Sequence, residues 1–175
     1  MIDEEFVVIE KHTAVGGTVI GEAPSGGKKG LKPQRWSLVP PVAKRILADA
    51  DLEEVFRPFA NAVCDFEEEP SIFRAYEAAQ AGMYLLVDLN LADHLPVVYG
   101  EGAVKYKEVG GTLNFLKGYP FSWSIDALWR HLFQETDPDP ESGHPAVVHA
   151  VWHALTLNEF LSRGVGTDDL PYAAK

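Results

Sequence analysis

Residues 130–157 read RHLFQETDPDPESGHPAVVHAVWHALTL, and the way this stretch folds decides the class of the whole chain. Running into it, Ile125, Leu128, Trp129, Leu132 and Phe133 recur at three- and four-residue intervals, the period of an amphipathic helix. Beyond it, Pro145 suits a first helical turn, and Val148, Val151, Trp152 and Leu155 mark the buried stripe of a second helix stopping near Gly164. The polar loop between them sets Asp137, Asp139 and Glu141 on alternate residues. His149 and His153, four apart, share one helical face on the flank of the stripe. Carboxylates and imidazoles held on two rigid helices could bind a metal. The same histidines could equally be core-edge imidazoles, each with one satisfied nitrogen.

Upstream, the helical period continues. Pro40-Pro41 opens a helix with apolar Val42, Ile46 and Leu47. A second follows residues 49–51, with Leu52, Val55, Phe56, Phe59 and Val63 on one face, and Pro58 predicts a kink in it. The run Glu67-Glu68-Glu69 reads as a solvated helix end. A third helix spans Ile72 to about Leu91 and is ended by Pro96. Residues 99–106 and 110–122 read as loop, mixing aromatics with Lys, Asn and Gly. Such a mixture can stack on a base and bind a phosphate, or simply anchor the loop to the core. Ser122 or Ser124 is the expected N-cap of the helix into the opening stretch. Arg130 lies off that helix's stripe and His131 on its other side, so the two need not act together.

The N-terminal part differs in character. Phe6-Val7-Val8-Ile9 and Thr18-Val19-Ile20 flank Gly16-Gly17 and predict a short β-hairpin. Residues 21–35 are rich in turn formers and hold the only basic cluster, which reads as a mobile arm able to close over an anionic ligand. A phosphate-loop reading fails on spacing, because Lys29 rather than Ser or Thr follows Lys28. The resulting prediction is an all-α bundle with a short N-terminal β-hairpin. It divides into 1–29 (hairpin and glycine/lysine loop), 30–165 (helical domain) and 166–175 (a fraying tail).

The whole-chain quantities bound the function. With 175 residues the chain suits one domain, and a net charge of −11 with pI near 4.9 argues against gripping nucleic-acid polymers through a basic surface. A polyphosphate ligand would need divalent cations between it and the acidic site. No apolar run is long enough to span a membrane and the start lacks a signal-peptide profile, so a cytoplasmic protein is expected. Cys64 sits in an apolar helical pattern as a small core residue, and one cysteine permits no internal disulfide. There are no internal repeats, no zinc-type cysteine pairs and no nucleophile-elbow motif.

Six blocks occur in order: residues 32–41 (KPQRWSLVPP), 102–106 (GAVKY), 114–118 (NFLKG), 130–132 (RHL), 139–143 (DPESG) and 149–152 (HAVW). Together they resemble the phage-borne dATP/dGTP diphosphohydrolase family, a MazG-like group within the all-α nucleotide pyrophosphohydrolases. That resemblance implies homodimers or homotetramers in the cytoplasm of the host, with Mg²⁺ or Mn²⁺ held by acidic side chains. It implies cleavage of a purine deoxynucleoside triphosphate between its α- and β-phosphates. By the same resemblance, Asp139, Glu141 and His149 are catalytic groups and metal ligands, and Glu101 is a further ligand. Lys105, Lys117, Arg130 and Arg35 meet phosphates, while Asn114 and Trp36 hold the base or sugar. The chain departs from the family pattern at Ala146 and His153, where His and Asn are expected, and at Phe115, where Trp is usual. Those departures leave a non-catalytic, nucleotide-sequestering protein on the same scaffold as the alternative.

Overall fold

Helix α6, Ala146–Arg163, is the post on which the rest of the chain packs in the computed structural model, which describes residues 12–13, 19–108 and 110–173. Its apolar residues repeat around most of its circumference, so it can be covered on several sides at once. Helices α3 (Ile72–Asp88), α4 (His94–Tyr106) and α5 (Phe121–Leu132) lie against it, α2 (Arg57–Glu68) covers α3, and α1 (Pro41–Asp51) covers α2. The fold is mainly helical, as the periodicity predicts. The core joins Phe59, Val63, Leu86, Ile125, Leu128, Trp129, Val148, Val151 and Phe160, none more than 1% exposed. Each large side chain buried so contributes roughly 1.5–3 kcal/mol.

Several helix boundaries differ from the expectation. Pro58 kinks nothing: it stands in the first turn of α2, where its missing N–H is no loss. Pro96 likewise sits inside the first turn of α4, and α3 ends eight residues earlier at Asp88. Residues 99–106 are helical although Gly100 and Gly102 interrupt them, because Val98 and Tyr99 pack towards α6 and the core. Ser122 does not cap α5. Pro120 precedes the helix, and Asp169 accepts from the Ser122 N–H (2.9 Å) and hydroxyl (2.6 Å). The tail is therefore pinned down: Leu170 is buried and Tyr172 donates to the Leu38 carbonyl at 2.8 Å.

Glu67 is not solvated. It is buried against Lys44 in an ion pair, and the Trp129 indole N–H donates to its other oxygen at 2.8 Å. Lys44 also lies over the Trp129 ring, 5.5 Å from the centroid. Burial, only partly offset by Lys44, pushes the Glu67 carboxyl up to about 6. Glu68 and Glu69 are exposed, as expected of a helix end. Cys64 is buried, and burial pushes its thiol up to about 12, so it stays protonated and inert.

The small antiparallel sheet has the order β1 (His12–Thr13), β2 (Val19–Glu22), β3 (Lys28–Leu31). Residues 6–9 of the expected hairpin lie outside the described residues. The second hairpin, with Val19 opposite Leu31 and Glu22 opposite Lys28, forms in the stretch that reads as a mobile arm. It is held because it touches the helical body closely. A Cβ on Gly27 would stand 2.0 Å from the Gly118 carbonyl oxygen, so only glycine permits this approach. Ser25 donates to that same carbonyl at 2.5 Å.

Candidate functional site

Strand β3, helix α4, the ends of α5 and α6 and the acidic loop enclose a cavity of about 800 Å³, a size typical of small-molecule sites. Its apolar lining is aromatic. Trp36 stacks on Phe133 with centroids 5.1 Å apart, and Tyr99, Phe115 and Trp152 meet edge to face at 5.8–5.9 Å. Lys28, Lys29, Lys32, Lys105 and Arg130 line it too. One third of the fifteen Lys and Arg side chains of an acidic protein thus gather at one concavity.

Lys28 pairs with Glu22 at 2.6 Å, and the other four cations are held in two ways. Glu141 pairs with Lys32 and stands 3.8 Å from Lys105. The Lys32 hydrogen bond keeps the Glu141 carboxyl below its usual range. Lys29 and Arg130, by contrast, have no carboxylate at ion-pair distance among the described residues; each instead touches a histidine. Lys29 Nζ is 3.4 Å from His153 Nε2, and Arg130 Nη2 is 3.2 Å from His131 Nε2. Burial, then the charges of Arg130 and Lys105, bring Lys29 down to about 7. Arg130 and His131 meet after all, because both lie in the last turn of α5, where it turns towards the loop.

The histidines form a stack. His131 lies between His149 (5.0 Å) and His153 (6.2 Å) with rings nearly parallel. Burial lowers all three, His131 to about 3 with Arg130 adding to the effect, so they are neutral near pH 7. Asp139, 6% exposed, organises the acidic loop: its Oδ1 accepts from the N–H groups of Glu141 (3.0 Å) and Ser142 (3.1 Å). Burial alone would raise the Asp139 carboxyl. His131, 3.5 Å from Oδ2, and those N–H bonds instead hold it below the usual range. The Ser142 hydroxyl sits 2.7 Å from His149 Nε2, tying the loop to α6.

Of the residues singled out in the sequence, Glu101, Lys105, Asn114, Arg130, Asp139, Glu141, His149 and Trp36 all line the cavity. Arg35 turns away to Asp126 at 2.9 Å, and Lys117 is exposed outside the cavity. Asn114 lines it with its amide bracketing the Lys28 backbone: Oδ1 accepts from Lys28 N–H (2.9 Å) and Nδ2 donates to Lys28 O (2.6 Å). Lys29, Lys32, His131 and Ser142 also line it, with no individual role legible in the sequence, and His153, which shares a helical face with His149, joins them. Lys29 had a visible signal in the basic cluster, but its place at the cavity depends on the Asn114 contact, which spans 86 residues.

Among the described residues no group of three or more His, Cys, Asp or Glu side chains is arranged to hold a metal ion. The reasons are local. Asp139 is spent on N–H groups and His131, Glu141 on lysines, His149 on Ser142, and Glu101 on His144 at 3.2 Å. These side chains as placed do not fit a metal caged by protein donors alone.

Fold and cavity together define a mainly helical protein whose basic residues converge on a ring-walled pocket. Residues 74–170, from α3 into the tail, match the family model described as dATP/dGTP diphosphohydrolase, N-terminal, and the chain belongs to that family. No match emerges among curated proteins or among solved structures. The sheet, α1 and α2 precede the matched segment, so β3 brings its lysines to the cavity from outside it. No helix among the described residues is long and apolar enough to cross a membrane.

Proposed function

We propose that the protein hydrolyses a purine deoxynucleoside triphosphate, dATP or dGTP, to the monophosphate and pyrophosphate, and that it needs Mg²⁺ or Mn²⁺ to do so. The observation that carries this reading is the clustering of five cations around one aromatic cavity in a member of a diphosphohydrolase family. Flat rings suit a purine, and lysines and arginine suit phosphate oxygens. In the reaction a water oxygen bonds to the α-phosphorus while the bond to the bridging oxygen breaks. That oxygen leaves with pyrophosphate, and the proton of the attacking water passes by way of the Glu141 carboxylate to solvent. The protein supplies position and charge. Glu141, its side chain 53% exposed, is the carboxylate best able to reach the water, and Asp139 and the His149–Ser142 contact hold its loop in place. A magnesium ion commonly takes only one or two carboxylates when phosphates and water supply the rest, so an ion arriving with the nucleotide needs no ready-made cage.

The lack of a three-donor group favours one other reading, a protein that binds the nucleotide and leaves it intact. Incubation with each dNTP in the presence of Mg²⁺, Mn²⁺ or EDTA separates the two. Pyrophosphate release that EDTA abolishes supports the hydrolase, whereas recovery of intact bound nucleotide supports sequestration. In the hydrolase reading Glu141→Gln abolishes turnover with little change in melting temperature, since the side chain is half in solvent. Full activity in that variant would remove Glu141 from the site.

A further inference from the structure

Lys29 is held at the cavity by contacts on both sides of it in sequence. The Asn114 amide brackets the Lys28 backbone with two hydrogen bonds, and the Tyr106 hydroxyl accepts from Gly30 N–H at 2.9 Å. Lys28 spends its own ammonium on Glu22 at 2.6 Å. Lys29 instead reaches inward until its Nζ lies 5.9 Å from the Tyr119 ring, 6.0 Å from the Trp152 ring and beside His153. Arg130, the other cavity cation with no carboxylate at ion-pair distance among the described residues, is close enough to repel it.

Two neighbouring buried cations, countered only by the more distant carboxylates of Asp126, Asp139 and Glu141, destabilise a fold. Such an arrangement is the expected one where a bound ligand brings the missing negative charge. The rings of Tyr119 and Trp152 stabilise an ammonium only weakly, and the histidines beside it cannot neutralise it.

We propose that Lys29 and Arg130 form an oxyanion site at this end of the cavity, and that its ligand is the pyrophosphate portion of the triphosphate. The assignment rests on the nucleotide reading above, and it makes the hairpin preceding the matched segment part of the binding machinery. Phosphate oxygens accept from both side chains, and their charge removes the repulsion between them.

The test uses the full chain, inorganic pyrophosphate as probe, and the variants Lys29→Met, Lys29→Gln and Lys29→Arg. Wild-type protein should gain melting temperature with pyrophosphate, since a ligand that binds only the native state raises stability. Without ligand, Lys29→Met should melt at or above the wild-type temperature, because a repelled, half-buried charge is gone. Its pyrophosphate affinity should fall at least ten-fold, with Lys29→Arg between the two. Lys29→Gln repeats the comparison should methionine disturb packing. A merely structural lysine would give the reverse, a lower ligand-free melting temperature with pyrophosphate affinity within two-fold, and that result overturns the assignment. Hydrolysis of dATP by wild-type protein that does not bind pyrophosphate also overturns it. Pyrophosphate binding that depends on Lys29, in a protein that turns over no dNTP, leaves the oxyanion site standing and removes the hydrolase reading.

Discussion

Asn114→Ala should detach strand β3 from the cavity and leave the helices folded. The substitution removes two hydrogen bonds to the Lys28 backbone, at 2.9 and 2.6 Å, from a side chain only 3% exposed. If β3 stayed in place, its N–H and carbonyl would each lose a partner, at about 1–3 kcal/mol apiece, or about 2–6 kcal/mol together. That figure has a ceiling. What still holds the hairpin is the Ser25–Gly118 and Gly30–Tyr106 hydrogen bonds and the packing of Ile20 and Ala23. Once the loss exceeds what these supply, β3 lifts off and water takes the freed groups. Amide hydrogen exchange reads this directly. A shift of about 2 kcal/mol should speed exchange at residues 28–31 roughly thirty-fold, while amides of α5 and α6 stay protected. Nucleotide affinity should fall in step, since only the latched fraction presents Lys29. Unchanged exchange at residues 28–31, or an equal loss of protection in α6, would refute the clamp.

Three further outcomes are expected. Glu67→Gln leaves the Lys44 ammonium unneutralised in the core at a cost of about 3–5 kcal/mol, and calorimetry should show a fall on the order of 6–20 °C; a loss below about 1 kcal/mol would mean that water reaches the pair. Burial and Arg130 bring Lys29 down to about 7, with Lys105 adding to this and Asp126 and Glu141 opposing it. Between pH 7 and its unfolded value of about 10.4 the unfolded chain therefore binds more protons at this group. Its contribution to ligand-free stability then rises with pH across that window, while pyrophosphate affinity falls above pH 7. Lys29→Met should flatten both slopes in melts and titrations. Finally, Ile72, Phe73, Tyr76, Tyr84 and Val87 form a row along α3, each more than half exposed. We propose that a second copy of the chain covers it; wild-type protein should then scatter light as a multimer, and Tyr76→Glu with Tyr84→Glu should reduce the mass to that of a monomer.

The helices were legible because their signal is local. Val148, Val151 and Leu155, or Ile125, Leu128 and Leu132, announce a buried face within a single window of sequence. What stayed hidden depends on contacts between distant residues. Nothing near Glu67 reveals that Lys44 and Trp129 close over it, so a run of three glutamates reads as solvated. Gly100 and Gly102 argue against helix locally, and only the packing of Val98 and Tyr99 overrides them. The glycine-rich segment 21–31 has the composition of a mobile arm, yet those glycines are what lets it press against Gly118. The candidate site divides in the same way. Asp139, Glu141 and His149 stood out by spacing, and all three line the cavity. The half brought in by β3 required a contact across 86 residues.

The net charge of −11 at first argues that a polyphosphate can be handled only if metal ions stand between it and the protein. The structure changes the terms of that argument. Charge acts over about a Debye length, roughly 8 Å at physiological salt, so a ligand inside the cavity responds to its walls rather than to the far surface. Those walls carry five cations against the carboxylates of Glu101, Glu135, Asp139 and Glu141. Three of the carboxylates are already engaged, Glu141 with Lys32 and Lys105, Glu101 with His144, and Asp139 with the loop N–H groups and His131. The acidic surface still acts at long range, slowing the approach of a bare anion and favouring one that arrives with a bound cation. Added salt should therefore speed association of nucleotide at first, by screening the surface, and weaken the final complex by screening Lys29 and Arg130. Opposite salt effects on association rate and on affinity are the signature of a basic cavity in an acidic protein.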